Sequence, residues 1–254
     1  MDLPANQNGA ARDSMLFAPH IALRNNCALN LYIRVFLHKV NPTDDAAAGS
    51  YPDWDTTYST GPRHGVNRRI TRWPDGEFES WSARYFRECQ TFWHGKFWLR
   101  TPPSYTDLDC QVGAQRIRPN IYCGFHLTPV LATPSAHHTI ELVHLAADEP
   151  FFRSDADHYD NLDLDPVNYG PGLNQRAHIH EVGHLLGLGH SGESNPACVN
   201  NNPICYAGRN IMGQGEDIDA TDALPWQNAI ESFTGQSASN WTVSMSEILP
   251  RVLR

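Results

Sequence analysis

The 254-residue chain has no apolar run long enough to span a bilayer, and its first residues, Met1-Asp2-Leu3-Pro4-Ala5-Asn6-Gln7-Asn8, carry neither a basic start nor an apolar stretch. A transmembrane segment and a signal peptide are therefore not expected within it. Basic charge is scarce too. The formal net charge is −9, and Lys and Arg cluster only in Arg63-His64-Gly65-Val66-Asn67-Arg68-Arg69, so the field of the protein repels a phosphate backbone. Nucleic acid is excluded as a natural partner on that ground. No Cys-x-x-Cys spacing occurs, which leaves a zinc ribbon or a thioredoxin-like site without support. No internal repeat is found. Charged residues make up only 19% of the chain while Gly, Pro, Trp and His are plentiful, a balance that suits a loop-rich globular enzyme better than a disordered or fibrous chain.

The length suffices for a single catalytic domain, residues 1–254, built from two unequal lobes around a cleft. Its six cysteines are Cys27, Cys89, Cys110, Cys123, Cys198 and Cys205, an even number that fits an oxidising compartment. Buried free thiols are the competing reading. Cys198 and Cys205 make the best candidate disulfide, since a bridge there would rigidify a short Asn/Pro-rich loop with little apolar material. An extracytoplasmic place without a signal peptide implies a mature fragment, an excised domain, or cargo moved by a secretion device, and so a chain that can be part of a larger secreted or delivered protein.

Residues 1–27 are polar and read as an irregular N-terminal segment. Ala28 to His38 is the strongest strand, rich in β-branched and aromatic residues, and is expected at the centre of a sheet. A loop dense in Asp, Gly, Pro and Thr runs to residue 75. Phe78, Trp81, Tyr85, Phe86 and Cys89 then recur at helical spacing and predict an amphipathic helix over 77–92. Strands are expected over 96–101, 114–118, 124–131 and 139–145. Residues 146–172 lack periodicity and read as one long loop of the kind that carries function. A helix capped by Asn174 follows, with Ile179, Val182, Leu185 and Leu186 on its packing face and Ala177, His180, Glu181 and His184 on another. A last helix, capped by Thr221 or Asp222, is expected to reach Phe233, with Gly235 just past its end. The fold class is α+β. Residues 28–190 form the N-terminal lobe and 191–254 a small loop-rich lobe ending in a helix.

The chemistry lies in His180-Glu181-Val182-Gly183-His184-Leu185-Leu186-Gly187-Leu188-Gly189-His190. Residues four apart on a helix stack on one face, so His180 and His184 can offer their rings to one metal ion. Glu181 is turned by about 100° from His180, where it can reach a water on the metal and act as general base. Gly187 can take positive φ and end the helix, bringing His190 back as a third ligand. Three histidines leave one coordination position open, the mark of a catalytic rather than a structural zinc site. Specificity comes from the extended pattern: adding Gly187 and His190 to His-Glu-x-x-His lowers its chance frequency by about 400, at roughly 1 in 20 per position.

These eleven residues resemble the metzincin clan of zinc metallopeptidases, and Asn210-Ile211-Met212-Gly213 is similar to that clan's Met-turn. The resemblance implies a lobe of mixed twisted sheet with a backing helix and the active-site helix, a small C-terminal lobe, and one catalytic Zn2+ on His180, His184 and His190. It further implies Glu181 as general base and Met212 as the floor of the site. Ser191 after the third histidine looks matrixin-like, but the rest of the chain assigns no subfamily. Gln214 stands where some metzincins place a zinc-assisting tyrosine, so that role is not carried over.

Asp155, Asp157, Asp160, Asp163 and Asp165 crowd one loop and could offer oxygen ligands to Ca2+, but the spacing is not that of an EF-hand and a solvated acidic loop is the preferred reading. His137, His138, His144 and His178 are expected to be surface or hydrogen-bonded residues. Trp73, Trp81, Trp93 and Trp98 are expected to pack in the core. Tyr206 is a candidate oxyanion donor, and Cys27 a minor candidate for a latent zinc ligand.

The leading expectation is a zinc endopeptidase acting on a polypeptide or peptide substrate, held as an extended strand. A second enzymatic reading is a toxin domain delivered to a rival cell's envelope, cutting envelope proteins or peptidoglycan peptides. A third is a catalytically silent zinc-binding module, which the presence of Glu181 disfavours.

Overall fold

The computed structural model describes residues 12–43, 47–52, 67–149, 154–171, 173–191 and 208–253. In chain order its elements are β1 (Asp13–His20), β2 (Asn26–Lys39), β3 (Ala48–Tyr51), β4 (Arg68–Thr71), α1 (Glu77–Trp93), β5 (Phe97–Arg100), β6 (Cys110–Val112), β7 (Gln115–Arg118) and β8 (Ile121–Pro129). There follow β9 (His138–Leu145), β10 (His158–Asp160), β11 (Val167–Gly170), β12 (Leu173–Gln175), α2 (Ala177–Leu185), α3 (Leu224–Thr234), β13 (Thr242–Ser244) and β14 (Arg251–Leu253).

The main sheet runs β13-β5-β8-β2-β9-β4-β3, with β1 also paired to β2 and β10 to β9. β2, the strand expected at the centre, is there. It pairs in parallel with β8 and with β9, whose middle residues in turn pair in parallel with β10. Parallel neighbours need crossover connections, and α1 supplies one between β2 and β8. The remaining pairings in this sheet are antiparallel, so the architecture is mixed α+β.

Alternation along β2 sends Leu29, Leu31, Ile33 and Val35 to one face, where each is fully buried. Against them pack Trp81, Tyr85, Cys89 and Trp93 of α1 and Ile179, Val182 and Leu186 from α2 and its end, all in one core cluster. Each aliphatic side chain there contributes about 1.5–3 kcal/mol by leaving water. Glu77 and Glu79 in the first turn of α1 complement its dipole. Trp93 Nε1 donates to the Ile179 carbonyl at 3.1 Å and thereby fastens the end of α1 to the start of the motif helix. Trp73, Trp81, Trp93 and Trp98 are buried, as their sequence positions imply.

Several expectations need correction. Residues 13–20, read as irregular from their polarity, form β1, which pairs with β2 from Asp13↔Tyr32 to His20↔Asn26 and buries Leu16. The loop before residue 75 holds β3 and β4, and 146–172 holds β10 and β11. All are three or four residues long, too short to show a period. Asn174 does not cap α2: it lies in β12, and Arg176 occupies the cap position without a side-chain capping bond. The last helix is preceded by a 3-10 turn capped by Asp219, whose side chain accepts from Thr221 N while Asp222 returns a bond to Asp219 N. Gly235, at φ 65°, ends α3 as expected.

Cys27, Cys89, Cys110 and Cys123 are free thiols, the first, second and fourth of them buried, so among the described residues the disulfide reading gives way to free thiols. Burial pushes the Cys27 thiol up to about 12 and holds Cys89 and Cys123 well above the usual thiol range. Cys198, Cys205 and Tyr206 lie outside the described residues. Among the described residues no helix is long and apolar enough to cross a membrane.

Candidate metal centre

α2 carries His180 and His184 on consecutive turns, and its end follows from Gly187. With φ at 89°, Gly187 lets its own N–H reach the His184 carbonyl at 2.8 Å while Leu188 N reaches the Gly183 carbonyl at 3.0 Å. This pair of closing bonds is the Schellman arrangement, which a residue with a Cβ enters only under strain. The chain reverses there and returns with His190. Arg12, just before β1, donates to the Leu186 carbonyl at the same helix end.

The three rings converge. His184 Nε2 stands 3.1 Å from His180 Nε2 and 3.1 Å from His190 Nε2, and one ligand nitrogen from each ring lies within 4.8 Å of the others. Two nitrogens bonded to tetrahedral zinc at about 2.0–2.1 Å stand roughly 3.3 Å apart, so the spacing fits one such ion. The far side of each helical ring fits it as well. His180 Nδ1 lies 2.6 Å from the Ile211 carbonyl and His184 Nδ1 lies 2.8 Å from the Leu188 carbonyl. A carbonyl only accepts, so both Nδ1 atoms carry the proton and both Nε2 atoms present lone pairs to each other. Facing lone pairs at 3.1 Å repel unless a cation lies between them. Among the described residues this is the only group of three or more such side chains placed to hold a metal ion. His180 is buried and the other two half-buried.

Around the rings, the segment Asn210–Gly213 is fixed from several sides. Ser191, directly after His190, donates its N–H to the Met212 carbonyl at 2.9 Å and its hydroxyl to Asn210 Oδ1 at 3.1 Å. Asn210 Oδ1 also accepts from Met212 N at 2.7 Å, and its amide donates to Asp219 and Asp222, both at 3.1 Å. Gln175 Nε2 lies 2.6 Å from the Gly213 carbonyl, 3.3 Å from that of Ile211 and 2.9 Å from His180 Nδ1. Met212 is 1% exposed, and its sulfur lies far inside contact distance of the place where a Cβ on Gly183 would stand. The glycine between the two helical histidines is thus what admits the methionine against the helix. Glu181 is 9% exposed and next to His180 on α2.

The other candidates separate from this cluster. Cys27 is buried at the start of β2 and is not among the grouped ligands. His178 is fully buried, with Nε2 3.1 Å from Glu88 Oε2 and Nδ1 3.1 Å from the Asp163 carbonyl. Its removal from water lowers its pKa to about 4. His144 bonds Thr71 and His137 accepts from Arg34 N. The acidic loop is only half solvated: Asp155, Asp157 and Asp165 are exposed, while Asp160 and Asp163 are buried and accept backbone N–H bonds from Leu162 and Asp160. Burial holds the Asp163 carboxyl well above the usual carboxylate range.

Comparison with family models, with curated proteins and with solved structures finds no match to this chain. The functional reading therefore rests on the site itself. Gln175 and Asn210 gained no role from the sequence, because a single amide side chain has no spacing signature. Only their neighbourhood to the histidine motif and to Met212 could have raised them.

Proposed function

We propose that the chain is a zinc-dependent endopeptidase of the metzincin kind. The observation that carries this reading is the convergence of His180, His184 and His190 through Nε2, with Glu181 adjoining the first ligand and Met212 packed beneath the helix. A zinc ion held there supplies Lewis acidity toward a carbonyl oxygen and lowers the pKa of a water to about 7. Glu181 accepts the proton of the attacking water and passes it to the departing amine. Its low exposure weakens competition from bulk water for that proton. The Nδ1 atoms of His180 and His184 are engaged by the Ile211 and Leu188 carbonyls, which leaves their Nε2 atoms to face the ion. The substrate is an extended polypeptide.

The test is a digest of a broad peptide library by zinc-reconstituted protein and by its Glu181→Ala variant. Cleavage by the first, with zinc retained and cleavage lost in the second, is the expected result. Cleavage that survives in the variant sinks the mechanism, and zinc binding without cleavage by either supports the silent-module reading instead.

A further inference from the structure

We propose that Gln175 is a positioning residue, which holds the His180 imidazole in the one tautomer that can bind a metal. The proposal deepens the reading of the three-histidine centre and rests on it.

Gln175 sits at the end of β12, two residues before α2 begins, and is 6% exposed. A buried amide costs free energy unless its hydrogens are used. Its Nε2 carries two, and three neighbours are within reach: the Gly213 carbonyl, the Ile211 carbonyl and His180 Nδ1. His180 Nδ1 is itself 2.6 Å from the Ile211 carbonyl. Only one assignment satisfies every atom. Nδ1 of His180 donates to Ile211, Gln175 donates one hydrogen to Gly213 and the other to Ile211, and the Ile211 oxygen accepts twice through its two lone pairs.

In the other tautomer His180 Nδ1 is bare. It could then accept from Gln175 at 2.9 Å, but it would also face the Ile211 oxygen at 2.6 Å, acceptor against acceptor. Gln175 keeps that carbonyl in place by gripping Gly213 from the same nitrogen, so the oxygen cannot swing away to relieve the clash. The turn carrying Met212 is thereby tied at two carbonyls to the residue before the motif helix. His184 has a simpler arrangement, one carbonyl from its own helix end, and needs no such brace. Ordering a ligand through the atom opposite the metal is a general device, and loss of such a partner costs about 10–100-fold in metal affinity.

The test uses the full chain and two variants. Gln175→Met keeps length and apolar volume while removing both donors, and Ser191→Ala loosens the other side of the same turn without touching the Ile211 or Gly213 carbonyls. Zinc transfer to a chromogenic chelator is followed for each, together with the urea midpoint of the metal-free protein. Release faster by about 10–100-fold in Gln175→Met, beyond what Ser191→Ala shows at a similar loss of midpoint, is the expected result. Release at the Ser191→Ala rate would make Gln175 a structural brace only and overturn the proposal.

Should Gln175→Met fail to fold, nitrogen-15 chemical shifts of the His180 ring in the metal-free wild-type protein decide instead. A protonated Nδ1 before any metal is added is expected, and a predominant Nε2–H form overturns the proposal. If the wild type binds no zinc at all, the metal reading fails separately, because the tautomer is measured without the ion.

Discussion

The sulfur of Met212 fills the space in which a side chain on Gly183 would begin, so the turn at 210–213 and the helix bearing His180 and His184 touch directly at Gly183. Two effects of opposite sign meet in Gly183→Ala. Helix propensity alone favours alanine by about 1 kcal/mol. Overpacking against Met212 and against Trp93, 3.2 Å from the new Cβ, costs about 1–3 kcal/mol. The second effect wins, and the variant is expected to unfold at lower urea. Pairing it with Met212→Ala should be less destabilising than the sum of the single changes by more than about 0.5 kcal/mol. Simple additivity would contradict the contact.

Arg118 and Asp109 form a second relationship with a measurable consequence. Arg118 donates from Nε to Asp109 Oδ1 at 2.6 Å and from Nη2 to Oδ2 at 2.8 Å, and also to the carbonyls of Pro102 and Pro103. The hydrogen bonds from Arg118 hold the Asp109 carboxyl below the usual carboxylate range. A depressed acid stabilises the fold above its unfolded pKa, and that contribution fades as pH falls through the folded value. Arg118→Met leaves the carboxylate with Arg116, 3.6 Å away, and should cost about 3 kcal/mol at pH 7. Urea midpoints of wild type and variant should therefore lie far apart at pH 7 and draw together below about pH 3.8. A gap of equal size at both ends of that range would refute the ion pair's role.

Thiol labelling reads the core. Burial raises the pKa of all four thiols, but Cys27, Cys89 and Cys123 are buried whereas Cys110 is half-buried on the short strand β6. Thiolate is the reactive form, so iodoacetamide at pH 8 should modify Cys110 first among these four and reach the others only after unfolding. Peptide mass spectrometry resolves the sites. Labelling of Cys89 or Cys123 in native protein at the rate of Cys110 would contradict the packing of α1 on the sheet.

Long elements were legible in the sequence for physical reasons. β2 is rich in β-branched and aromatic residues along its length, and α1 sets Phe78, Trp81, Tyr85 and Cys89 at helical spacing. Both patterns outrun chance. β1 was hidden because its core contact falls mainly on Leu16 while its other residues remain partly exposed, and its order comes from pairing with β2 rather than from its own periodicity. The short strands β10 to β12 depend in the same way on partners distant in sequence or on a tight hairpin. In the site, the ligands were legible because one helix fixes the spacing of His180 and His184 and one glycine fixes the return of His190. Their hydrogen-bonding supports were not, because Gln175 meets Ile211 and Gly213 across more than thirty residues of chain. Tertiary contact alone makes that meeting.

The three-histidine centre is tested most directly by X-ray absorption at the zinc edge on reconstituted protein, with metal content measured on the same sample. One zinc per chain is expected, with three imidazole nitrogens at about 2.0–2.1 Å and one further light atom. His184→Ala, which removes the nitrogen lying between the other two, should abolish stoichiometric binding. A wild-type protein that retains no zinc, or a spectrum showing sulfur at about 2.3 Å, would contradict the account.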